Sequence, residues 1–143
     1  MQSRISERNR VAAIVLMSIF IAIWEAACSE DFSEEMPRSF DYYRYENGQI
    51  VEKAVVREGD PGYNALRRLL NSHRAGWNID LNTYAPELSF QSKGMIIDCR
   101  DDMVIVNFRK NGNGSMVELT NRFSGCRTKV LDAINHGEQR RSR

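Results

Sequence analysis

The sequence contains few of the residues that enzyme and metal sites require. His73 and His136 are its 2 histidines, and neither has the spacing of a metal ligand, such as His-x-x-x-His or Cys-x-x-Cys. A histidine near the end of a predicted helix typically contacts the helix C-terminus. The sequence also contains no Gly-x-Ser-x-Gly, phosphate-binding loop or dinucleotide fingerprint. We therefore predict no catalytic residue, no cofactor and no metal, and favour a non-enzymatic protein.

An excess of charge of either sign is also missing. Lysine and arginine number 20 and aspartate and glutamate 19, giving a formal net charge of +1. A protein that binds nucleic acid needs a basic face. We therefore expect no nucleic-acid partner. Basic residues cluster at the C-terminus, in residues 136–143, which we predict to be a solvated tail.

The N-terminus carries the most informative pattern of the chain. Three arginines precede an uncharged apolar run, residues 11–24, and the sequence Glu-Ala-Ala-Cys follows at 25–28. A basic lead, an apolar middle and a small-residue end are the layout of an export signal. We predict that residues 1–28 are a signal peptide or a membrane-anchor helix. The rest of the chain is then extracytoplasmic (periplasmic or cell-surface), and the N-terminus is cytoplasmic if the leader is retained.

Three outcomes remain open for this leader. A helix over the apolar run rises only ~21 Å, but extended to Cys28 it rises about 27 Å, close to the ~30 Å of a hydrocarbon core. This would give an uncleaved single-pass anchor. The end Ala26-Ala27-Cys28 resembles the lipobox of bacterial lipoproteins, with Glu25 where that motif has an aliphatic residue. The resemblance implies lipidation of Cys28, whereas ordinary cleavage nearby would release a secreted form.

The cysteine content points to one disulfide. Of the 3 cysteines, Cys28 belongs to the leader, which leaves Cys99 and Cys126. An oxidising compartment allows these two to pair. Closing a loop of about 28 residues would contribute roughly 3–4 kcal/mol to the free energy of unfolding. A redox role is not favoured, because no Cys-x-x-Cys is present.

The remaining pattern predicts a single α+β domain at residues 48–135. Its order is strand, helix, four or five strands and a short helix at 126–135. Asp60 followed by proline predicts the start of the first helix, and the Asn-Gly repeat at 111–114 predicts a hairpin. Residues 77–84 alternate with a period of two, which predicts a strand. We expect a small antiparallel sheet of about five to six strands with the helices on one face.

Residues 29–47 are predicted to be an acidic and aromatic tether between the leader and the domain. Aromatic and arginine side chains are enriched at interface hot spots. Alternatively, the aromatic residues cover one edge of the domain as a short strand, and residues 77–84 belong to an ordinary sheet with one wet face. The candidate partner contacts in these two segments are Tyr42, Tyr43, Tyr45, Trp77 and Tyr84.

The most acidic stretch of the domain is the second candidate site. Asp98, Asp101 and Asp102 lie within five residues. Carboxylates at this density can hold Ca²⁺ or supply paired groups for acid–base chemistry. The competing interpretation is a solvated hairpin end in which the aspartates pair locally with Arg100.

Together these patterns favour a membrane-tethered or exported extracytoplasmic binding module without enzymatic activity. An inhibitor or immunity-type protein and an accessory part of an envelope assembly fit equally well. The expected contacts are a protein partner in the cell envelope, bound by sheet-edge pairing, and the membrane, contacted through the N-terminal segment. The alternatives are a small envelope hydrolase or calcium-binding domain that uses Asp98, Asp101 and Asp102, and a purely structural lipoprotein acylated at Cys28.

Overall fold

The structure, a computed structural model, describes residues 29–80, 82–109 and 114–141. The predicted leader, including Cys28, lies outside the described residues. No helix within the described ranges has both the length and the apolar composition needed to cross a membrane. The elements are β1 (Ser39–Glu46), β2 (Gln49–Arg57), α1 (Pro61–Ser72), β3 (Leu88–Gln91), β4 (Met95–Cys99), β5 (Val104–Arg109), β6 (Met116–Asn121) and α2 (Cys126–Arg141).

The six strands form one sheet in the order β2-β1-β3-β4-β5-β6, and every neighbouring pair is antiparallel. The turn between β1 and β2 places Asn47 and Gly48 at φ 51° and 76°, which is typical of a two-residue hairpin. After α1 the chain returns to the other side of β1. The α+β prediction with an antiparallel sheet and two helices is confirmed.

The hydrophobic core lies between the helices and one face of the sheet. A row of apolar side chains crosses four strands, because Phe90 is paired with Ile97, Ile97 with Val106 and Val106 with Leu119. Helix α1 begins with Pro61 at its first position, and its apolar stripe belongs to the same core cluster as this row. The buried residues of α1 are Gly62, Tyr63, Leu66, Leu69 and Leu70. This row lies on the face of the sheet that the helices cover. The alternate residues of the same strands point to the opposite face, which the helices leave uncovered.

Residues 29–47, predicted to be a tether, are part of the folded domain. β1 lies second from the edge of the sheet. Phe32 is 2% exposed, and its ring makes edge-on contacts with Trp77 at 4.8 Å and Phe108 at 5.2 Å. The boundary predicted at residue 48 therefore falls too late, since alternate aromatic residues of this segment fill the core.

Two further segments differ from the predicted elements. Residues 77–84 contain no strand among those described, although Asn78 makes a single β-bridge. The Asp80 carboxylate accepts hydrogen bonds from the Asn82 N–H at 3.0 Å and the Tyr84 hydroxyl at 3.0 Å, and such local bonds compete with a strand ladder. Helix α2 continues to Arg141, so the predicted basic tail begins within a helix.

Candidate binding surfaces

Strand β2 forms an outer edge of the sheet. Among the described strands it pairs with β1 alone. It also carries exposed apolar side chains: Ile50 is 56% exposed, and Val51 and Val55 are each 46% exposed. A long edge strand with apolar side chains can pair with another extended chain. We call this outer side of Gln49–Arg57 the β2 edge.

The direction of the peptide groups shows which residues of the β2 edge can pair. Peptide groups point alternately to the two sides of a strand. The N–H of Tyr45 donates to the carbonyl of Glu87, just before β3, at 2.9 Å. Odd-numbered positions of β1 therefore face β3, and even-numbered positions, including Tyr42, face β2. Tyr42 is paired with Ala54, and Ala54 therefore bonds inward. Its neighbours Lys53 and Val55 direct their N–H and C=O groups away from the sheet.

Hydrogen bonds within the chain occupy the outward peptide groups at two other places on the sheet edges. At the end of β2, the Arg57 N–H donates to the Asp60 carboxylate at 2.9 Å, and the Arg57 carbonyl accepts from the Asp60 N–H at 2.9 Å. At the opposite edge of the sheet, Asn78 exchanges two backbone hydrogen bonds with Thr120 of β6, at 2.9 and 2.8 Å. Within the described residues, the open part of the β2 edge is therefore the stretch around Lys53 and Val55.

The sheet face opposite the helices contains a polar pocket of about 290 Å³. Residues 82–84 form one wall, and β4, β5 and β6 form the floor. Asp98 is paired with Ile105, and Asn107 with Glu118. These four side chains share the uncovered face, because positions opposite each other in adjacent strands point to the same side. The lining residues are Asn82, Thr83, Tyr84, Asp98, Ile105, Asn107 and Glu118.

Asp98 has an unfavourable environment for a carboxylate. Its Oδ1 atom is buried and has no hydrogen-bond partner among the described residues. Burial raises the pKa of Asp98 above its ordinary value, a hydrogen bond with the Ser89 side chain acts in the opposite direction, and the negative charge of Glu118 raises it further. The pocket thus contains two carboxyl groups, Asp98 and Glu118. Each disfavours the negative charge of the other, and Asp98 is in addition poorly solvated.

Tyr84 is held over this pocket by contacts outside it. Its hydroxyl donates to Asp80. Hydrogen bonds to the Asp80 carboxylate lower its pKa: the one from the Asn82 N–H contributes most, followed by those from the Tyr84 hydroxyl and the Asn82 side chain. The Arg100 guanidinium lies 5.9 Å from the centre of the Tyr84 ring and donates to the Ala85 carbonyl at 3.1 Å. The wall of the pocket is therefore fixed by its own hydrogen bonds.

The structure separates the three aspartates of the predicted acidic site. Asp98 faces the polar pocket, whereas Asp101 and Asp102 are exposed in the turn after β4. Asp101 pairs with Arg127 at 3.8 Å and Asp102 with Arg100 at 3.6 Å. Among the described residues no group of three His, Cys, Asp or Glu side chains could hold a metal ion. A joint calcium or hydrolase site at these aspartates therefore has no geometric support.

The aromatic residues predicted to contact a partner occupy different environments. Tyr42 is 0% and Trp77 4% exposed, so both belong to the core and neither presents its ring on the surface. Tyr43 and Tyr45 are half-buried on the uncovered sheet face, and Tyr84 is half-buried at the pocket. Burial and the charge of nearby Asp98 raise the pKa of Tyr45, with a smaller contribution from Tyr43.

The predicted pairing of Cys99 with Cys126 is confirmed. The two cysteines form a disulfide with Cα atoms 5.6 Å apart, and both are fully buried. The bond joins the last residue of β4 to the first residue of α2. It therefore attaches the C-terminal helix to the centre of the sheet.

Sequence reasoning anticipated sheet-edge pairing and named Asp98 and Tyr84, but it identified neither β2 as the edge strand nor Glu118 as part of a pocket. The two adjacent pairs Ile50-Val51 and Val55-Val56 break the alternation of a strand with one buried face, a signal that at least one apolar residue of each pair is exposed. The placement of Glu118 and Asp98 in one pocket had no sequence signal, since it depends on the register of β4, β5 and β6.

Comparison with known protein families, with characterised proteins and with solved structures gives no match.

Proposed function

We propose that this protein is a non-enzymatic binding module, exported or tethered to the membrane by its N-terminal segment, that binds an extended segment of a cell-envelope protein. The partner segment adds to the sheet as a strand along the β2 edge. The observation behind this proposal is that Lys53 and Val55 direct their peptide groups outward from an edge strand with exposed apolar side chains.

Strand addition explains how such a small domain could achieve both affinity and specificity. Main-chain hydrogen bonds supply affinity, and pockets for alternate side chains supply specificity. On the uncovered face, Ile50 is paired with Tyr45, and Lys53 with Tyr43, with the Lys53 ammonium 5.2 Å from the Tyr43 ring centre. A partner strand with apolar or aromatic residues at alternate positions fits this row.

Two features support an extracytoplasmic location. The leader has the layout of an export signal. The buried disulfide between Cys99 and Cys126 suits an oxidising compartment. An inhibitor of an envelope enzyme and an accessory protein of an envelope assembly would both act there, and both can use strand addition.

The test is site-specific photo-crosslinking in native membranes, with the full chain. A photoreactive residue at position 55 should give one discrete crosslinked product, and the same residue at Asp132, exposed on α2, should not. Val55→Pro should abolish the product formed from a second photoreactive residue at Ile50, since proline removes the outward N–H. Val55→Thr is the matched control, because it keeps both the N–H and the β-branched shape.

Equal crosslinking from positions 55 and 132 would contradict the proposal. So would binding that survives Val55→Pro in a protein whose circular dichroism and unfolding midpoint match those of Val55→Thr.

A further inference from the structure

We propose that the polar pocket beneath residues 82–84 binds a cationic group, an ammonium or a guanidinium, between the carboxylates of Asp98 and Glu118. This inference concerns a different surface from the β2 edge and does not depend on the function proposed above.

The register of three strands builds the pocket. Asp98 lies on β4 and Glu118 on β6, and between them β5 presents Ile105 and Asn107. The two carboxylates therefore stand on opposite sides of a floor that is part apolar and part amide. A cation placed over this floor would contact negative charge from both sides, and the Asn107 side-chain oxygen can accept a further hydrogen bond.

The charge of the pocket is uncompensated within the described residues. Neither Asp98 nor Glu118 forms an ion pair there. Two arginines contact the pocket wall at Tyr84: Arg100 lies over its ring, and Arg122 donates to its hydroxyl at 3.5 Å. The ion pairs of both are with Asp102. A poorly solvated carboxylate with a buried, unbonded Oδ1 costs free energy in the unliganded protein. A cationic ligand in the pocket would offset part of that cost through its charge.

The wall of the pocket favours the same chemistry. Tyr84 lines it as an aromatic side chain, and aromatic rings attract ammonium and guanidinium groups. A volume of about 290 Å³ lies at the small end of ligand pockets. It suits a small amine or the end of a lysine or arginine side chain, and the ligand chemistry is the same in both cases.

The experiment is a titration of the full chain in detergent micelles, followed by the NMR shifts of the Asn82 and Asn107 side-chain amides. The probes are butylammonium, ethylguanidinium and putrescine, a peptide acetyl-Gly-Lys-Gly-amide, and butanol as the neutral control. We expect saturable shifts with dissociation constants of about 1 mM or below for the cations, a range that corresponds to roughly 4 kcal/mol or more, and none for butanol.

Substitutions then assign the binding to the two carboxylates. Asp98→Asn and Glu118→Gln should each weaken cation binding about tenfold or more, the cost of losing one charged hydrogen-bonding partner. Asp132→Asn, which removes an exposed acidic group from α2, should leave binding unchanged. Tighter binding of putrescine than of the peptide would indicate a free amine as the source, and the reverse would indicate a protein side chain.

Three results would overturn the proposal: no saturable shift with any cation, equal shifts with butanol, or unchanged binding in both carboxylate variants. Asp98→Asn removes an unfavourable buried charge and is expected to fold. A loss of binding in that variant can be separated from misfolding by comparing its backbone amide spectrum with that of the unsubstituted protein.

Discussion

Asn78 and Thr120 exchange two backbone hydrogen bonds, from the Asn78 N–H at 2.9 Å and from the Thr120 N–H at 2.8 Å. This bridge occupies the outer side of β6 with a segment of the same chain. At the other end of the sheet, no described segment bonds to the outward peptide groups of Lys53 and Val55. The β6 edge is therefore bonded to the same chain at Thr120, whereas the β2 edge has no such bridge among the described residues.

This inequality predicts a pattern of amide hydrogen exchange. The amides of Lys53 and Val55 should exchange about tenfold or more faster than those of Ala54 and Val56, which bond to β1, since unbonded amides lack structural protection. The Thr120 amide should be protected. Native-state exchange followed by NMR measures this, and equal protection at Val55 and Val56 would mean that the edge is covered.

Removal of the disulfide should lower the free energy of unfolding by roughly 3–4 kcal/mol, because it closes a loop of about 28 residues in the unfolded chain. Urea unfolding of the Cys99→Ser/Cys126→Ser variant measures the loss, and Cys28→Ser is the control. Comparable stability of the double variant and the control would show that the bond contributes little.

Phe32→Ala should destabilise the domain by about 3–5 kcal/mol, the usual cost of deleting a buried aromatic ring. The ring contacts Trp77 and Phe108 in the core. Glu34→Ala, at an exposed position of the same segment, should change stability by about 0.5 kcal/mol or less. If thermal unfolding gives the same midpoint for both variants, the segment before β1 is not part of the core.

Asp98→Asn should stabilise the folded protein at neutral pH by an amount on the order of 1 kcal/mol. Burial raises the pKa of Asp98 in the folded state, so ionisation costs stability at every pH above that raised value. Below the ordinary pKa of aspartate the group is protonated in both states and the cost disappears. The advantage of the asparagine variant should therefore shrink as the pH falls through this window.

Urea unfolding of both proteins between about pH 7 and pH 3 tests this sign, since the window lies within that range. Asp132→Asn serves as the control for simple loss of a negative charge. A stability difference that grows on acidification would contradict a raised pKa at Asp98.

The features that were predicted correctly are mostly those that depend on residues close together in the sequence. Pro61 marks the start of α1 because the fixed backbone geometry of proline acts within one turn. Asp60 occupies the predicted cap position, but its carboxylate accepts from the Arg57 N–H and does not cap the helix. The pairing of Cys99 with Cys126 followed from counting cysteines, once Cys28 was assigned to the leader. The end of α1 at Ser72 was not predicted, because packing against the rest of the domain determines where a helix ends.

The sequence by itself determined the α+β class, the antiparallel sheet, the helix starts and the disulfide partners, because periodicity, proline geometry and residue counts act locally. The tertiary structure decided that Phe40 and Tyr42 belong to the core and not to a tether, that β2 is an edge strand, and that Asp98 and Glu118 line one pocket. Those outcomes depend on strand order and register, which bring distant residues onto one face and cannot be read from any single segment.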